Sequence, residues 1–426
     1  MVRIEEMINY FSYDYKNPKG EHPFSINTEV SFAPWNKKHR LVHIGIQGKK
    51  MDKAQTVASN LVFLIDVSGS MSAANKLPLL KSSMKLLVNE LTAQDRVSIV
   101  TYAGSAGLVL PPTPGTEKEK ILEAFDRLKS GGSTAGGQGI KLAYKVATES
   151  HITGGNNRVI LATDGDFNIG VSSTSELVRM VEEKRKSGIF LTITGFGMGN
   201  YKDGRMEQIS NAGNGNYYYI DNIKEAKKVF VTDMQATLFT IAKDVKIQVE
   251  FNPTKVQAYR LIGYENRKMK AEDFNNDQKD AGELGAGHTV TALYEVIPTG
   301  VKSEFLADVD PLKYQNSNTQ PTVKSSELLT VKFRYKDPNG TKSKLIVSPL
   351  NDQSTDFNST SDDFRFSAAV AEFGMLLRES EFRQGSSYDH ALALAIGSKG
   401  QDVNGYRAEL IDMIRSVQLL EKSKSN

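Results

Sequence analysis

Residues 61–65, Leu-Val-Phe-Leu-Ile, run without a polar break, and the chain continues as Asp66-Val-Ser68-Gly-Ser70. A short apolar run of this kind is the pattern of a strand covered on both faces, as in a parallel sheet with helices on each side. Three oxygen-bearing side chains then arrive at alternate positions where the strand ends, and Gly69 lets the backbone turn there. Open parallel sheets bind ligands beyond the carboxyl ends of their strands. One carboxylate and two hydroxyls at that place suit a hard, oxygen-preferring cation such as Mg2+, Mn2+ or Ca2+.

The stretch 59–241 keeps to this logic. Strands are expected at 59–66, 96–102, 107–110, 158–163, 189–196 and 216–220, and helices at about 76–91, 117–128, 137–149, 174–187, 204–211 and 222–241. In the helix at 76–91, Leu79, Leu80, Met84, Leu87, Val88 and Leu91 fall on one stripe. Strands alternating with helices of this length imply an α/β domain with a doubly wound, mostly parallel sheet. On either side the period changes to two. Phe24–Phe32 and Arg40–Ile46 alternate, as do Val245–Phe251, Val256–Ile262, Thr289–Ile297 and Glu327–Tyr335, with Lys344–Val347 a shorter candidate. Alternation marks antiparallel strands with one wet face. The simplest arrangement puts them all in one β-sandwich, with the α/β domain inserted into it and Trp35 as a packing anchor at an edge.

Residues 3–12 carry Ile4, Met7, Ile8 and Phe11 at helical spacing. The last part, 362–422, is also expected to be helical. Phe366, Val370, Phe373 and Leu377 form one amphipathic face, 391–396 and 410–420 fit two more helices, and Glu421–Asn426 is expected to fray. The division is therefore 1–58 (N-terminal helix and first β-strands), 59–241 (α/β domain), 242–350 (β-sandwich continuation) and 351–426 (C-terminal helical region).

Composition removes several kinds of chemistry. The 426 residues include no cysteine, so disulfides, zinc–thiolate sites and thiol catalysis are excluded. The net charge of +3 comes from interleaved signs, which gives no electrostatic case for nucleic acid. Six histidines occur without an HExxH pattern. His39 and His43, on one strand, would stand about 13 Å apart, too far to share a metal. No apolar stretch reaches transmembrane length. The first residues lack an apolar signal core, so a cytoplasmic protein or a processed envelope protein is expected.

Two further loops accompany the first: Gly131-Gly-Ser-Thr134-Ala-Gly-Gly137 and Thr163-Asp164-Gly-Asp166. Alone, the DxSxS pattern is weak; with a threonine in a glycine-rich loop and an aspartate after a later buried strand it becomes specific. The combination resembles a von Willebrand factor type A domain, and the loops resemble its metal-ion-dependent adhesion site. The resemblance implies that Asp66, Ser68, Ser70, Thr134 and Asp164 hold a divalent cation, Mg2+ first, with Ca2+ or Mn2+ as alternatives. Hydroxyls would bind it directly or by switching with water, and the aspartates directly or through water. Few protein charges leave such a cation electrophilic, with a position open to a partner carboxylate. Asp166 either orients its loop or orients a coordinated water. Gly131, Gly132, Gly136 and Gly137 would let the second loop bend near the cation.

The resemblance extends beyond this domain. Arg3-Ile-Glu-Glu-Met-Ile-Asn-Tyr-Phe, Phe24–Trp35, Ala258-Tyr-Arg-Leu-Ile-Gly-Tyr-Glu-Asn-Arg267, Glu272-Asp-Phe and Lys279-Asp-Ala-Gly-Glu-Leu-Gly-Ala-Gly-His288 resemble a bacterial family. Its members carry a von Willebrand A domain between a short N-terminal region and an uncharacterised C-terminal domain. Many are regarded as lipoproteins or secreted, which implies the cell envelope and a lipid anchor upstream of residue 1.

Other readings weigh less. The Gly131–Gly139 loop lacks the Gly-Lys-Ser/Thr end of a phosphate loop. Ser68 as a nucleophile lacks GxSxG and a nearby histidine. Glu272, Asp273, Asp277, Asp280 and Glu283 do not have EF-hand spacing and read as a solvated loop. Tyr217, Tyr218 and Tyr219 alternate faces of a strand, so they pack rather than form a sugar platform. The expected function is a non-enzymatic, metal-dependent protein-binding module for adhesion or assembly, whose unidentified partner presents an Asp or Glu to the cation. The alternative is a scaffold subunit of an envelope complex in which the cation only fixes loops. A metal-dependent hydrolase ranks third, since no matched general base is evident.

Overall fold

A computed structural model describes residues 2–51, 57–132, 136–165, 174–197, 203–233, 239–265, 268–277, 279, 281–306, 325–338, 340–353 and 355–424. The chain divides into two compact units. One comprises Met1–Lys49, Asp244–Ala281 and His288–Asn426; the other comprises Lys50–Lys243 and Gly282–Gly287. The first unit opens with helix α1 (Ile4–Asn9) and an antiparallel hairpin of β1 (Phe24–Ala33) and β2 (Asn36–Gly48). Trp35 sits in the hairpin turn, buried in the core of this unit.

The second unit begins with β3 (Ser59–Asp66), α2 (Leu77–Glu90), β4 (Arg96–Tyr102) and β5 (Ala106–Pro114). It continues through α3 (Lys118–Asp126), α4 (Gly136–Glu149), β6 (Asn156–Thr163) and α5 (Thr174–Lys186). It then forms β7 (Ile189–Phe196), α6 (Asp203–Ala212), β8 (Tyr217–Ile220) and α7 (Ile223–Lys227). These strands make a six-stranded sheet in the order β5-β4-β3-β6-β7-β8. Every neighbouring pair is parallel except β4 with β5. All of β3 is buried, because both faces of the sheet are covered. Leu61, Phe63 and Ile65 pack with residues of α2 and α3 such as Met84 and Phe125. Val62 and Leu64 pack on the other face with residues of α4 and α5 such as Tyr144 and Val181. The alternation of strand side chains across the sheet produces these two separate cores. The chain moves to one side from β3 to β4 and resumes on the other side at β6. The switch point of the sheet thus lies between β3 and β6, where doubly wound folds keep a crevice.

The helix expected over 222–241 is broken up. It ends at Lys227 and continues as one wider turn, Lys228–Thr232, closed by the Asp233 N–H donating to Lys228 O at 2.7 Å. From Thr240 the chain is a strand, β9 (Thr240–Phe251). The β-branched pair Thr240-Ile241 already follows the period-two pattern, which favours a strand. β10 (Val256–Leu261) follows, and then β11 (Gly282–Gly285), in a stretch expected to be a polar loop. The Ala286 N–H donates to Phe239 O at 2.8 Å, so backbone pairing gives structure to a segment too glycine-rich to show it by pattern.

The first unit resumes with β12 (Thr289–Pro298), β13 (Glu327–Lys336) and β14 (Ser343–Asn351). The remaining sheets have the orders β1-β2-β12-β10 and β11-β9-β13-β14. β12 lies antiparallel to β2, from Thr289 opposite Gln47 to Val296 opposite Arg40, so segments far apart in sequence share one sheet. The two sheets face each other where the Phe24 ring lies 4.9 Å from Phe333 and 5.3 Å from Tyr335.

Helices α8 (Asp362–Leu377), α9 (Tyr388–Gly397) and α10 (Tyr406–Lys424) complete this unit. The expected amphipathic helix is instead buried all round: from Phe366 to Leu376 every residue is buried. Ala368, Ala369, Ala371 and Gly374 fill the faces that a polar stripe would occupy. A Cβ on Gly374 would lie 3.0 Å from Ile4 Cγ1, so the glycine lets α1 approach closely. Helix α10 runs on through Glu421 to Lys424, where fraying was expected. His39 and His43 are both buried, each with its own partner: His39 Nδ1 lies 2.5 Å from Glu295 Oε1, and His43 Nε2 lies 2.8 Å from Tyr15 Oη.

Candidate metal centre

The carboxyl end of β3 places Asp66 at the switch point with no exposed surface. Its Oδ1 accepts the Ser68 N–H at 2.8 Å, an Asx-type turn that bends the chain out of the strand. Its Oδ2 accepts the Tyr102 hydroxyl at 3.1 Å. Tyr102 is its register partner at the end of β4. Burial pushes the Asp66 carboxyl above its ordinary value; the Ser68 hydrogen bonds oppose this, and the nearby Asp164 charge adds to it. The carboxylate therefore has fewer compensating donors than its burial calls for.

Ser68 is buried and Ser70 exposed, with their hydroxyls 3.1 Å apart. Between them Gly69 opens a single tight turn, Gly69–Ser72, anchored by buried Met71. The glycine-rich loop is laced to this turn. The Gly69 N–H donates to Gly132 O at 3.1 Å, and the Gly131 N–H donates to Val67 O at 2.7 Å. Gly132 has φ +81°, a conformation that favours glycine, whereas Gly136 begins helix α4 and supplies no bend. Thr134 and Asp166 lie outside the described residues.

Asp164 follows the last residue of β6. The hydroxyl of Thr163 accepts the Gly165 N–H at 3.2 Å, and Gly165 turns at φ +91°. The Asp164 side chain is 4% exposed, and its Oδ2 accepts the Lys76 ammonium at 2.8 Å. Lys76 also donates to Ser70 O at 3.0 Å. The described structure thus brings together Asp66, Ser68, Ser70 and Asp164 from two loops at the carboxyl ends of β3 and β6. Sequence reasoning missed Tyr102 and Lys76. Tyr102 had a weak signal, as the polar residue closing a strand-like run; Lys76, just before a helix, had none.

The donor chemistry fits a hard cation. Two carboxylates lie close enough for their charges to oppose one another, two hydroxyls adjoin them, and an ammonium already stands against one of the carboxylates. Among the described residues no three acidic or histidine side chains gather as a metal site. The acidic loop is engaged otherwise. Asp277 accepts from Arg334 at 3.0 Å and from the Ser343 hydroxyl, and Asp273 pairs with Lys279 and Glu272 with Lys270, each at 3.8 Å. Glu283 accepts from the Thr240 hydroxyl at 3.3 Å, and Asp280 is outside the described residues. Tyr217 and Tyr218 pack into opposite cores of the sheet, and Tyr219 donates to Gly197 O.

A DxSxS turn at the switch point of this sheet, facing an aspartate on the next strand, defines the second unit as a von Willebrand factor type A domain. The family profile of that description matches residues 60–232. The chain as a whole belongs to the YfbK family. It is 44% identical over 421 residues to "Uncharacterized protein YfbK" of Escherichia coli (strain K12), covering 97% of this chain and 72% of that protein. The profile "Uncharacterized protein YfbK, C-terminal" matches residues 236–420, and one described as "von Willebrand factor" matches residues 1–43. A more distant relative is the magnesium-chelatase 60 kDa subunit of Cereibacter sphaeroides, 34% identical over 128 residues, which are 30% of this chain and 22% of that one. Among solved structures, the von Willebrand factor type A protein from Catenulispora acidiphila aligns with 95% of this chain and 91% of its own, at TM-score 0.47 and 16% identity. No helix among the described residues is long and apolar enough to cross a membrane.

Proposed function

We propose that the von Willebrand A unit is a metal-dependent, non-catalytic protein-binding module. Asp66, Ser68, Ser70, Asp164 and Thr134 would hold a divalent cation, Mg2+ first, and an Asp or Glu of a partner protein would complete its coordination. The observation that carries this reading is the under-compensated charge of Asp66. It is a fully buried carboxylate held above its ordinary value, beside a second carboxylate and two hydroxyls at the mouth of the sheet. Bound there, the cation would supply Lewis acidity toward a carboxylate oxygen. The chain's own part is to fix the first loop and lace it to the start of the second: the Asp66–Ser68 turn, the Gly69–Gly132 bond and the Gly131–Val67 bond set the backbone that carries Asp66, Ser68 and Ser70. This preorganisation spares the site an ordering cost on binding.

The test is calorimetric titration of Mg2+, Mn2+ and Ca2+ into the full chain and into Asp66→Ala. Heats are expected from the unsubstituted chain and not from the variant; equal heats would contradict the reading. Partner capture from envelope extract should then require the metal and be lost in EDTA. An envelope location is part of the proposal and is tested by cell fractionation.

A further inference from the structure

We propose that Lys76 is the resident counter-ion of this centre: its ammonium holds Asp164 until a divalent cation displaces it, so Lys76 sets how much metal the site requires. The inference rests on the metal reading above and adds a residue that no loop motif contains.

Three observations carry it. The ammonium bridges the two loops, 2.8 Å from Asp164 Oδ2 and 3.0 Å from Ser70 O. The ion pair is sheltered, with side-chain exposures of 18% for Lys76 and 4% for Asp164, so water screens it less than a surface pair. The lysine stem also has a place built for it. Gly197, just past β7, turns at φ +83°, and a Cβ there would lie 2.4 Å from Lys76 Cε and 2.9 Å from Cγ. Tyr219 pins the same glycine by donating to its carbonyl. The stem thus crosses the sheet mouth over a position where any side chain would push it aside.

The consequence is competition. A divalent cation engaging Asp164 would lie within a few ångströms of the ammonium, and like charges at that distance repel strongly in a partly buried site. The two cations therefore exclude one another. Metal binding includes breaking the bond from Lys76 to Asp164 and moving the ammonium outward. A charge-assisted hydrogen bond given up in this way lowers metal affinity by roughly tenfold or more. The displaced ammonium would stand at the rim of the surface that meets the partner, adding positive charge where a carboxylate must approach.

The experiment uses the full chain stripped with EDTA. Mg2+ and Mn2+ are titrated calorimetrically into the unsubstituted protein, Lys76→Met and Lys76→Arg. Lys76→Met should bind about tenfold tighter or more, while Lys76→Arg, which keeps the charge, should stay near the unsubstituted value. In parallel, acylation of Lys76 in the unsubstituted chain is followed by mass spectrometry and should rise on saturation with Mg2+. This arm needs no variant, so it holds even if Lys76→Met folds poorly. Equal or weaker binding by Lys76→Met, or labelling of Lys76 indifferent to bound metal, would overturn the inference while leaving the metal site standing. Absence of metal binding by all three proteins would instead remove the metal reading, and this inference with it.

Discussion

Each unit buries a carboxylate that anchors a polar cluster, and the two are completed in opposite ways. In the first unit, Glu295 is almost fully buried on β12. His39 lies 2.5 Å from one of its oxygens, Gln384 donates to the same oxygen at 2.8 Å, and Arg260 donates to the other at 2.9 and 2.5 Å. Burial pushes this carboxyl up, but the bonds from His39, Arg260 and Gln384 outweigh it and hold it below its ordinary value. The Arg260 guanidinium is itself covered by the Phe382 ring, 4.5 Å away. In the second unit, Asp66 is equally buried yet held above its ordinary value. The difference lies in the partners. Glu295 is closed by the Arg260 guanidinium and by the His39 and Gln384 bonds, so it serves stability. Asp66 is met by the Ser68 and Tyr102 donors, with the Asp164 charge nearby, and burial prevails over them.

The contrast can be broken or sharpened by substitution. The largest effect is expected from Glu295→Ala, which leaves Arg260 without its counter-charge and His39 without its hydrogen-bond partner in the core. Breaking a buried ion pair from one side costs about 3–5 kcal/mol, so denaturant unfolding followed through Trp35, the sole tryptophan, should shift by that amount. A next, smaller effect is expected from Gly45→Ala. A Cβ at Gly45 would stand 2.4 Å from the Tyr15 ring, whose hydroxyl is held by His43 and Thr291. Overpacking of this kind costs about 1–3 kcal/mol, read in the same unfolding curves.

Smaller again is the pair of His390 with fully buried Glu372, at 2.9 Å. The bond to Glu372 raises the His390 pKa above its ordinary value. The stability it provides is therefore complete below the unfolded-state pKa of about 6.5 and is lost as pH rises through the higher folded value. His390 is 37% exposed, so solvent screening holds the effect to about 0.5 kcal/mol. The melting difference between the unsubstituted chain and His390→Gln should shrink from pH 6 to pH 9. The smallest effect, and the opposite in kind, is expected from Asp66→Asn in EDTA at pH 7. Asparagine can still accept the Ser68 N–H through its oxygen and donate its amide N–H to the Tyr102 hydroxyl without the buried charge, so the variant should melt no lower than the unsubstituted chain. A clear loss there would place Asp66 in the same class as Glu295.

Much of this was legible in the sequence where a single period ruled. The run Leu61–Ile65 specified a buried parallel strand, and β3 is that strand, because its alternate residues feed two separate cores. The first and third loops were likewise legible as turns that follow buried strands, closed by the Ser68 N–H on Asp66 and the Gly165 N–H on the Thr163 hydroxyl. Three features were hidden. Helix α8 carries small residues where a surface helix carries polar ones, and only its neighbours, among them Ile4 against Gly374, make it a buried helix. β11 exists through backbone pairing of Gly282–Gly285 and has no apolar alternation to announce it. Lys76 reaches Asp164 across 88 positions of sequence, a pairing set by the sheet rather than by spacing.

The proposal that the second unit binds a divalent cation at Asp66 is tested most directly by thermal unfolding in EDTA and in excess Mg2+, for the unsubstituted chain and Asp66→Asn side by side. A ligand that binds only the folded state at 100 times its Kd stabilises by about 2.7 kcal/mol. The melting temperature of the unsubstituted chain should therefore rise with Mg2+ by several degrees, and that of Asp66→Asn should not move. Identical curves in EDTA and Mg2+ for the unsubstituted chain, or equal shifts in both proteins, would contradict the account.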